Sequence, residues 1–211
     1  MIKNLFITFE GCEGTGKSSQ LKLLVNTLKK TSIKFIATRE PGGSKEGERI
    51  REILLNHRLT IQPFCETLLH MAARYQNLKK VIFPALKSGK WVLCDRYTDS
   101  TIAYQGYGHG VGAQKIEKIS KITFGDLKPD ITFILDMPTK KALKRAKLRK
   151  IDFNRYERMG ISFHNKVRRA FLKIAKKDSK RCFVLNAEKD RKEIHQEIKE
   201  IINKTYKTKL K

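Results

Sequence analysis

The stretch Gly11-Cys12-Glu13-Gly14-Thr15-Gly16-Lys17-Ser18 constrains this chain more than any other. It matches G-x-x-x-x-G-K-[ST] in full, and its surroundings fit the motif. Leu5-Phe6-Ile7-Thr8-Phe9 before it is an apolar run that reads as a buried strand. After it, Leu21, Leu24, Val25 and Leu28 recur on one face of a helix. A glycine-rich turn between strand and helix aims backbone N–H groups at a polyphosphate, at the positive end of the helix dipole. Lys17 then reaches the terminal phosphates, and the Ser18 hydroxyl joins a magnesium shell. Gly11, Cys12, Glu13, Gly14, Thr15, Gly16, Lys17 and Ser18 form the candidate polyphosphate cradle.

Apolar runs at Leu5–Phe9, Ile33–Ala37, Trp91–Cys94, Ile131–Leu135 and Cys182–Leu185 alternate with helical patterns. That order predicts βαβ crossovers and a five-stranded, mostly parallel sheet covered on both faces, an α/β/α sandwich. Ligands of such sheets gather outside the carboxyl ends of the strands, so the residues there carry the chemistry. The second run ends in Thr38-Arg39-Glu40-Pro41-Gly42-Gly43, where a tight turn aims Arg39 at the site mouth. The third ends in Asp95-Arg96-Tyr97, an acid placed for magnesium and a cation placed beside a transferring phosphate. Ser18, Asp95 and Glu10 are the candidate magnesium oxygens.

Pro63 to Ser88 reads as a long helix that Pro84 kinks or ends, with His70, Arg74 and Gln76 as polar residues in a core-like stretch. Gly106, Gly108, Gly110 and Gly112 read as a mobile loop. The segment from Lys140 to Arg158 is a dense basic patch that starts as a helix from Ala142 and breaks around residues 151–154. Its placement suggests a lid, about residues 144–160, closing over phosphates. Lys204 to Lys211 reads as a frayed lysine-rich tail. A single domain over residues 1–211 accounts for the chain.

The formal net charge is +25, from 46 Lys and Arg against 21 Asp and Glu. Nucleic-acid binding is one reading of that excess; a lysine-rich surface that draws in anionic small molecules is the other. The lysines spread over every predicted helix without an aromatic-interleaved platform, which favours the second. No apolar run approaches the roughly 20 residues of a membrane span, and no leader precedes the first strand, so the cytoplasm is the expected compartment. Cys12, Cys65, Cys94 and Cys182 lack metal-site spacing and read as free thiols, Cys12 with a pKa lowered by the helix end.

F-E-G-C-E-G-T-G-K-S-S, T-R-E-P-G-G, A-A-R-Y-Q, D-R-Y, A-Y-Q-G and R-Y-E occur here in the order seen in thymidylate kinases, and the chain resembles that family from about residue 5 to 190. The resemblance implies a P-loop NTPase-type fold and ATP-dependent phosphorylation of dTMP to dTDP with magnesium, usually in a homodimer, with no membrane partner. It implies that Lys17 serves ATP, that Glu13 lies near the acceptor sugar's 3′-hydroxyl, and that Arg39 and Arg96 hold the acceptor phosphate. Arg74 resembles the arginine that bonds the thymine carbonyl, Thr101 and Gln105 match base-contacting positions, and Tyr104 matches the tyrosine that disfavours a ribose 2′-hydroxyl. His70 stands where the family stacks a phenylalanine on thymine, and its charge is expected to vary near neutral pH. The loop carries no arginine, which moves the expected catalytic cation into the lid, to Arg149 or Arg155 with Arg145 behind them. A kinase for another nucleotide and a nucleic-acid-dependent ATPase remain the alternatives.

Overall fold

The structure is a computed structural model that describes residues 4–148 and 155–210. Five strands form one sheet: β1 Phe6–Glu10, β2 Phe35–Arg39, β3 Trp91–Asp95, β4 Ile131–Asp136 and β5 Cys182–Asn186. Their order is β2-β3-β1-β4-β5, and every pairing is parallel. All five β1 residues are buried, as a central strand covered on both faces requires. Each strand runs one or two residues past its apolar run, so Glu10, Arg39, Asp95 and Asp136 are strand-terminal residues on the same edge.

Side-chain alternation along the strands sends residues to two cores. Leu5, Ile7 and Phe9 meet Leu21, Leu24 and Leu28 of helix α1 (Lys17–Leu28) and Ile194, Ile198 and Ile202 of helix α9 (Arg191–Tyr206). On the opposite face, Phe6, Val92 and Cys94 meet Leu78, Ile82 and Tyr97. Ile134 on that face packs with Val167, Ala170 and Phe171 of helix α8 (Ile161–Lys177). Each such side chain, once buried, contributes about 1.5–3 kcal/mol.

Between the strands lie helices α2 (Lys45–Leu55), α3 (Pro63–Asn77), α4 (Phe83–Lys87), α5 (Thr98–Thr101), α6 (Ala113–Phe124) and α7 (Thr139–Lys147). The predicted helix over Pro63–Ser88 is not uniform: a π turn at Leu78–Ile82 joins α3 to α4. The wider turn shifts the hydrogen-bond frame so that Pro84 enters at the start of α4, where its missing N–H costs nothing. The predicted glycine loop is likewise half absorbed. Gly106 and Gly108 belong to a second π turn, Ile102–Gly108, packed on α6 and α8.

The carboxyl terminus is not frayed as expected. Leu210 joins the α1–α9 core, and the Asn203 side chain accepts from Leu210 N at 2.8 Å and from the Thr208 hydroxyl at 2.7 Å. The helix read from Ala142 starts earlier, at Thr139, and its expected break over residues 151–154 lies outside the described residues. No described helix is long and apolar enough to cross a membrane.

Candidate active site

The glycine-rich loop leaves β1 and enters α1 with Gly11, Gly14 and Gly16 at positive φ. Two of these also touch backbone. A Cβ on Gly11 would stand 2.4 Å from the Leu135 carbonyl oxygen, and one on Gly14 would stand 2.0 Å from that of Ala142, so β4 and α7 press directly on the loop. Lys17 is buried, and its Nζ donates to the Cys12 carbonyl oxygen at 2.7 Å. Burial and the Arg96 charge lower its pKa, against the pull of Glu13 and Asp95. The Ser18 hydroxyl donates to Asp95 Oδ2 at 2.5 Å, which sets two oxygens side by side across the β1–α1 and β3 ends.

Arg96 follows β3 in the left-handed region at φ 68, and this conformation turns its side chain back across the sheet edge. Its guanidinium donates to Glu13 Oε1 at 2.7 Å, Gly11 O at 3.0 Å, Ser100 Oγ at 2.9 Å and the Tyr104 hydroxyl at 3.2 Å, over the Tyr104 ring. Glu13 and Tyr104 are therefore brought to Arg96. Arg39 reaches the same cavity but is paired with Glu48 of α2 at 2.7 Å. Arg51, not singled out in the sequence, also lines the cavity and donates to Pro41 O at 2.9 Å. Burial lowers the Arg51 pKa, then the charges of Arg39 and Arg96, so three cations converge. Only its helical position after T-R-E-P-G-G could have drawn attention to it.

Deeper in, Arg74 is buried on α3. Its Nε donates to Glu40 Oε2 at 2.5 Å, its Nη2 to Thr101 Oγ1 at 3.0 Å, and its Nη1 faces Met71 Sδ at 3.8 Å. Asn77 donates to the other Glu40 oxygen at 3.2 Å. Gln105, His70 and Tyr156 close the pocket around buried Glu66, which the sequence reading did not mark. At the opposite end, Arg145 donates to Ala187 O at 2.8 Å and Gln20 to Arg191 O at 2.9 Å, so α7 and the β5–α9 turn form a second recess beside the loop. One continuous cavity of about 730 Å³ joins the two ends past Lys17 and Arg96.

Several expectations are corrected. Burial, then the charges of Arg74 and Arg96, push the His70 pKa down to about 3, so the ring is neutral near neutral pH and does not vary in charge there. The Cys12 thiol is pushed up to about 12 by burial, which outweighs the cations near it, so it is not activated. Glu10 does not face the magnesium oxygens: its carboxylate accepts from Tyr97 N at 2.7 Å and Ser100 Oγ at 2.5 Å beneath the surface. The Arg155 guanidinium is ion-paired with Glu66 at the deep end instead of lying over the phosphate loop. Arg149 lies outside the described residues.

The sequence model of the thymidylate kinase family matches residues 9–198. A thymidylate kinase of Wolbachia pipientis subsp. Culex pipiens (strain wPip) is 46% identical over 208 residues, covering 96% of this chain and 98% of its own. One from Afipia carboxidovorans is 49% identical over 188 residues, covering 88% of this chain and 82% of its own. The crystal structure of thymidylate kinase from Ehrlichia chaffeensis superposes with a TM-score of 0.78 at 34% identity, over 94% of this chain and 98% of that one.

Proposed function

The chain belongs to the thymidylate kinase family, and on that premise we propose that it transfers the γ-phosphoryl group of ATP to dTMP, yielding ADP and dTDP. The observation that carries this reading is the continuous cavity in which the Arg145–Ala187 recess stands at one end and buried Arg74, Thr101 and Gln105 at the other, with Lys17, Ser18 and Arg96 between them. That is room for a donor and an acceptor nucleotide meeting at their phosphates.

ATP phosphates occupy the N–H groups of Gly11–Ser18, and Lys17 Nζ exchanges one carbonyl partner for phosphate oxygens. The donor base sits between Arg145 and the Ala187–Arg191 turn. Ser18 and Asp95 fit magnesium, which commonly takes one or two protein oxygens and completes its shell with phosphate and water. The ion would supply neutralisation of phosphate charge there.

Arg39, Arg51 and Arg96 receive the acceptor phosphate, one oxygen of which attacks the γ-phosphorus in line. Arg96 is held by four partners before substrate arrives, so little reorganisation accompanies the charge that develops. Arg74 spends Nε on Glu40, one proton of Nη2 on Thr101 and one proton of Nη1 on Met71 Sδ; the second proton of each amino group is left to donate to the thymine carbonyl. Tyr104 fills the space a ribose 2′-hydroxyl would need, and Glu13 approaches the 3′-hydroxyl. Residues 1–211 act as one nucleoside monophosphate kinase unit with a lid over about 144–160.

Phe64, Leu68 and Tyr75 stay 40–46% exposed along one face of α3, beside Ile53 of α2, which supports pairing of two copies through this face. A coupled ADP-release assay with ATP and a panel of nucleoside monophosphates tests the activity: dTMP is expected to be turned over in preference, and a clear preference for another base would overturn it.

A further inference from the structure

Glu66 touches neither end of the phosphoryl path, yet several side chains of the deep pocket are organised around it. It lies in the first turn of α3 and is 0% exposed. Oε1 accepts from Gln105 Nε2 at 2.6 Å and from the Tyr156 hydroxyl at 2.8 Å, with His109 Nε2 at 3.6 Å, and Oε2 faces the Arg155 guanidinium. Four groups from two separate segments, residues 105–109 and 155–156, meet on one buried carboxylate.

A carboxylate set against a guanidinium only accepts hydrogen bonds, so each group facing it has to donate. For Tyr156 this uses the single hydroxyl proton. His70 Nε2, 2.9 Å from that same hydroxyl, therefore carries its own proton and donates to it, which fixes the tautomer of a neutral ring. For Gln105 the consequence reaches the ligand. The amide must turn its NH2 toward Glu66, because the reverse orientation would set two buried acceptors against each other with no proton between them. The Gln105 Oε1 is then the atom left to face a base.

We propose that Glu66 is a specificity-determining positioning residue: by fixing the Gln105 amide with its oxygen toward the base, it selects pyrimidines that carry an N3–H over those that carry a bare N3. This rests on the thymidylate-kinase reading above and deepens it. Thymine and uracil present a carbonyl at C4 and a donor at N3; cytosine presents an amine at C4 and an acceptor at N3. Arg74, whose Nε is committed to Glu40, offers a donor to the first of these groups. A locked Gln105 offers an acceptor to the second. Both matches fail for cytosine, and the second depends on Glu66. Arg155 and Tyr156 belong to the stretch read as the lid, about residues 144–160, so the same carboxylate ties that stretch to a correctly set base pocket.

The test is kcat/KM for dTMP, dUMP and dCMP in wild type, Glu66→Gln, Gln105→Ala and the double variant. A neutral amide at position 66 both donates and accepts, so either Gln105 orientation becomes satisfied. The dTMP-over-dCMP preference of Glu66→Gln is expected to fall by about tenfold to about a hundredfold. The dTMP-over-dUMP ratio stays unchanged, since both bases show the same N3–H and C4 carbonyl. The double variant is no less selective than Gln105→Ala alone, because Glu66 acts through Gln105. An equal loss on all three nucleotides, or additive losses of selectivity in the double variant, overturns the proposal. A measurement on wild type is independent of how the variants fold: the Gln105 side-chain NH2 signals, assigned by their absence in Gln105→Ala, are expected to exchange slowly with water, and rapid exchange overturns the proposal. A wild-type enzyme that prefers dCMP or a purine nucleotide overturns the activity reading, and this inference with it; one that prefers dTMP while Glu66→Gln keeps full selectivity overturns this inference alone.

Discussion

Glu10 ends the central strand, directly before the phosphate loop, and carries a carboxyl that burial and then the neighbouring Asp99 push up from 4.5 to about 8. Asp99 is itself held by Arg181 at 2.7 and 3.1 Å, which fixes its carboxylate beside Glu10. A group whose folded pKa lies above its unfolded value favours the folded state below the unfolded pKa. That contribution is lost as pH rises through the folded pKa. Here the window runs from 4.5 to about 8, and the full difference between the two limits is about 5 kcal/mol, each pH unit being a tenfold change in the proton equilibrium. Against the roughly 5–15 kcal/mol by which domains are stable, that is a large share. Glu10→Gln imitates the protonated form in shape and lack of charge, and its carbonyl oxygen still accepts from Tyr97 N. Urea unfolding of both proteins from about pH 5 to about pH 9 isolates the effect, since every other titrating group is common to the two. The variant is expected to gain on wild type steadily through the window, by up to about 5 kcal/mol, and to level off above it. Two unfolding free energies that stay a constant distance apart across that range would refute the reasoning.

On the proposed mechanism Lys17→Ala and Arg96→Ala each remove a cation from the transferring phosphate, and a loss of at least about a hundredfold in kcat, with unchanged circular dichroism, is expected. Iodoacetamide at mildly alkaline pH should label the exposed Cys65 first and leave buried Cys12 unmodified; rapid labelling of Cys12, read by peptide mass spectrometry, would contradict its raised pKa. Leu210→Ala opens the α1–α9 core at the carboxyl terminus and is expected to lower unfolding free energy by about 2 kcal/mol without altering KM for either nucleotide. A denaturation midpoint equal to wild type would show that the tail is not anchored.

The phosphate loop, the five strands and their parallel order were legible because each rests on neighbours close in sequence. A strand shows itself by an apolar run, a helix by residues three and four apart, and the loop by glycines and a lysine at fixed spacing. The strand-end residues Arg39, Asp95 and Arg96 were legible for the same reason, since parallel topology places every carboxyl end on one edge. Other features depend on partners distant in sequence. Glu66 and Tyr156 meet across 90 positions, Glu13 and Arg96 across 83, and Asn203 holds a tail that composition alone makes look loose. Protonation was hidden further still: His70 is neutral, Cys12 inert and Glu10 protonated because burial removes the water that would stabilise their charged forms. The sequence by itself determined a parallel α/β sheet with a polyphosphate loop at its centre and a two-nucleotide site at its edge. Only the tertiary structure decided which cations stay free for phosphate, which are held by carboxylates, and which acids keep their protons, because those outcomes depend on desolvation and on contacts that chain order does not contain.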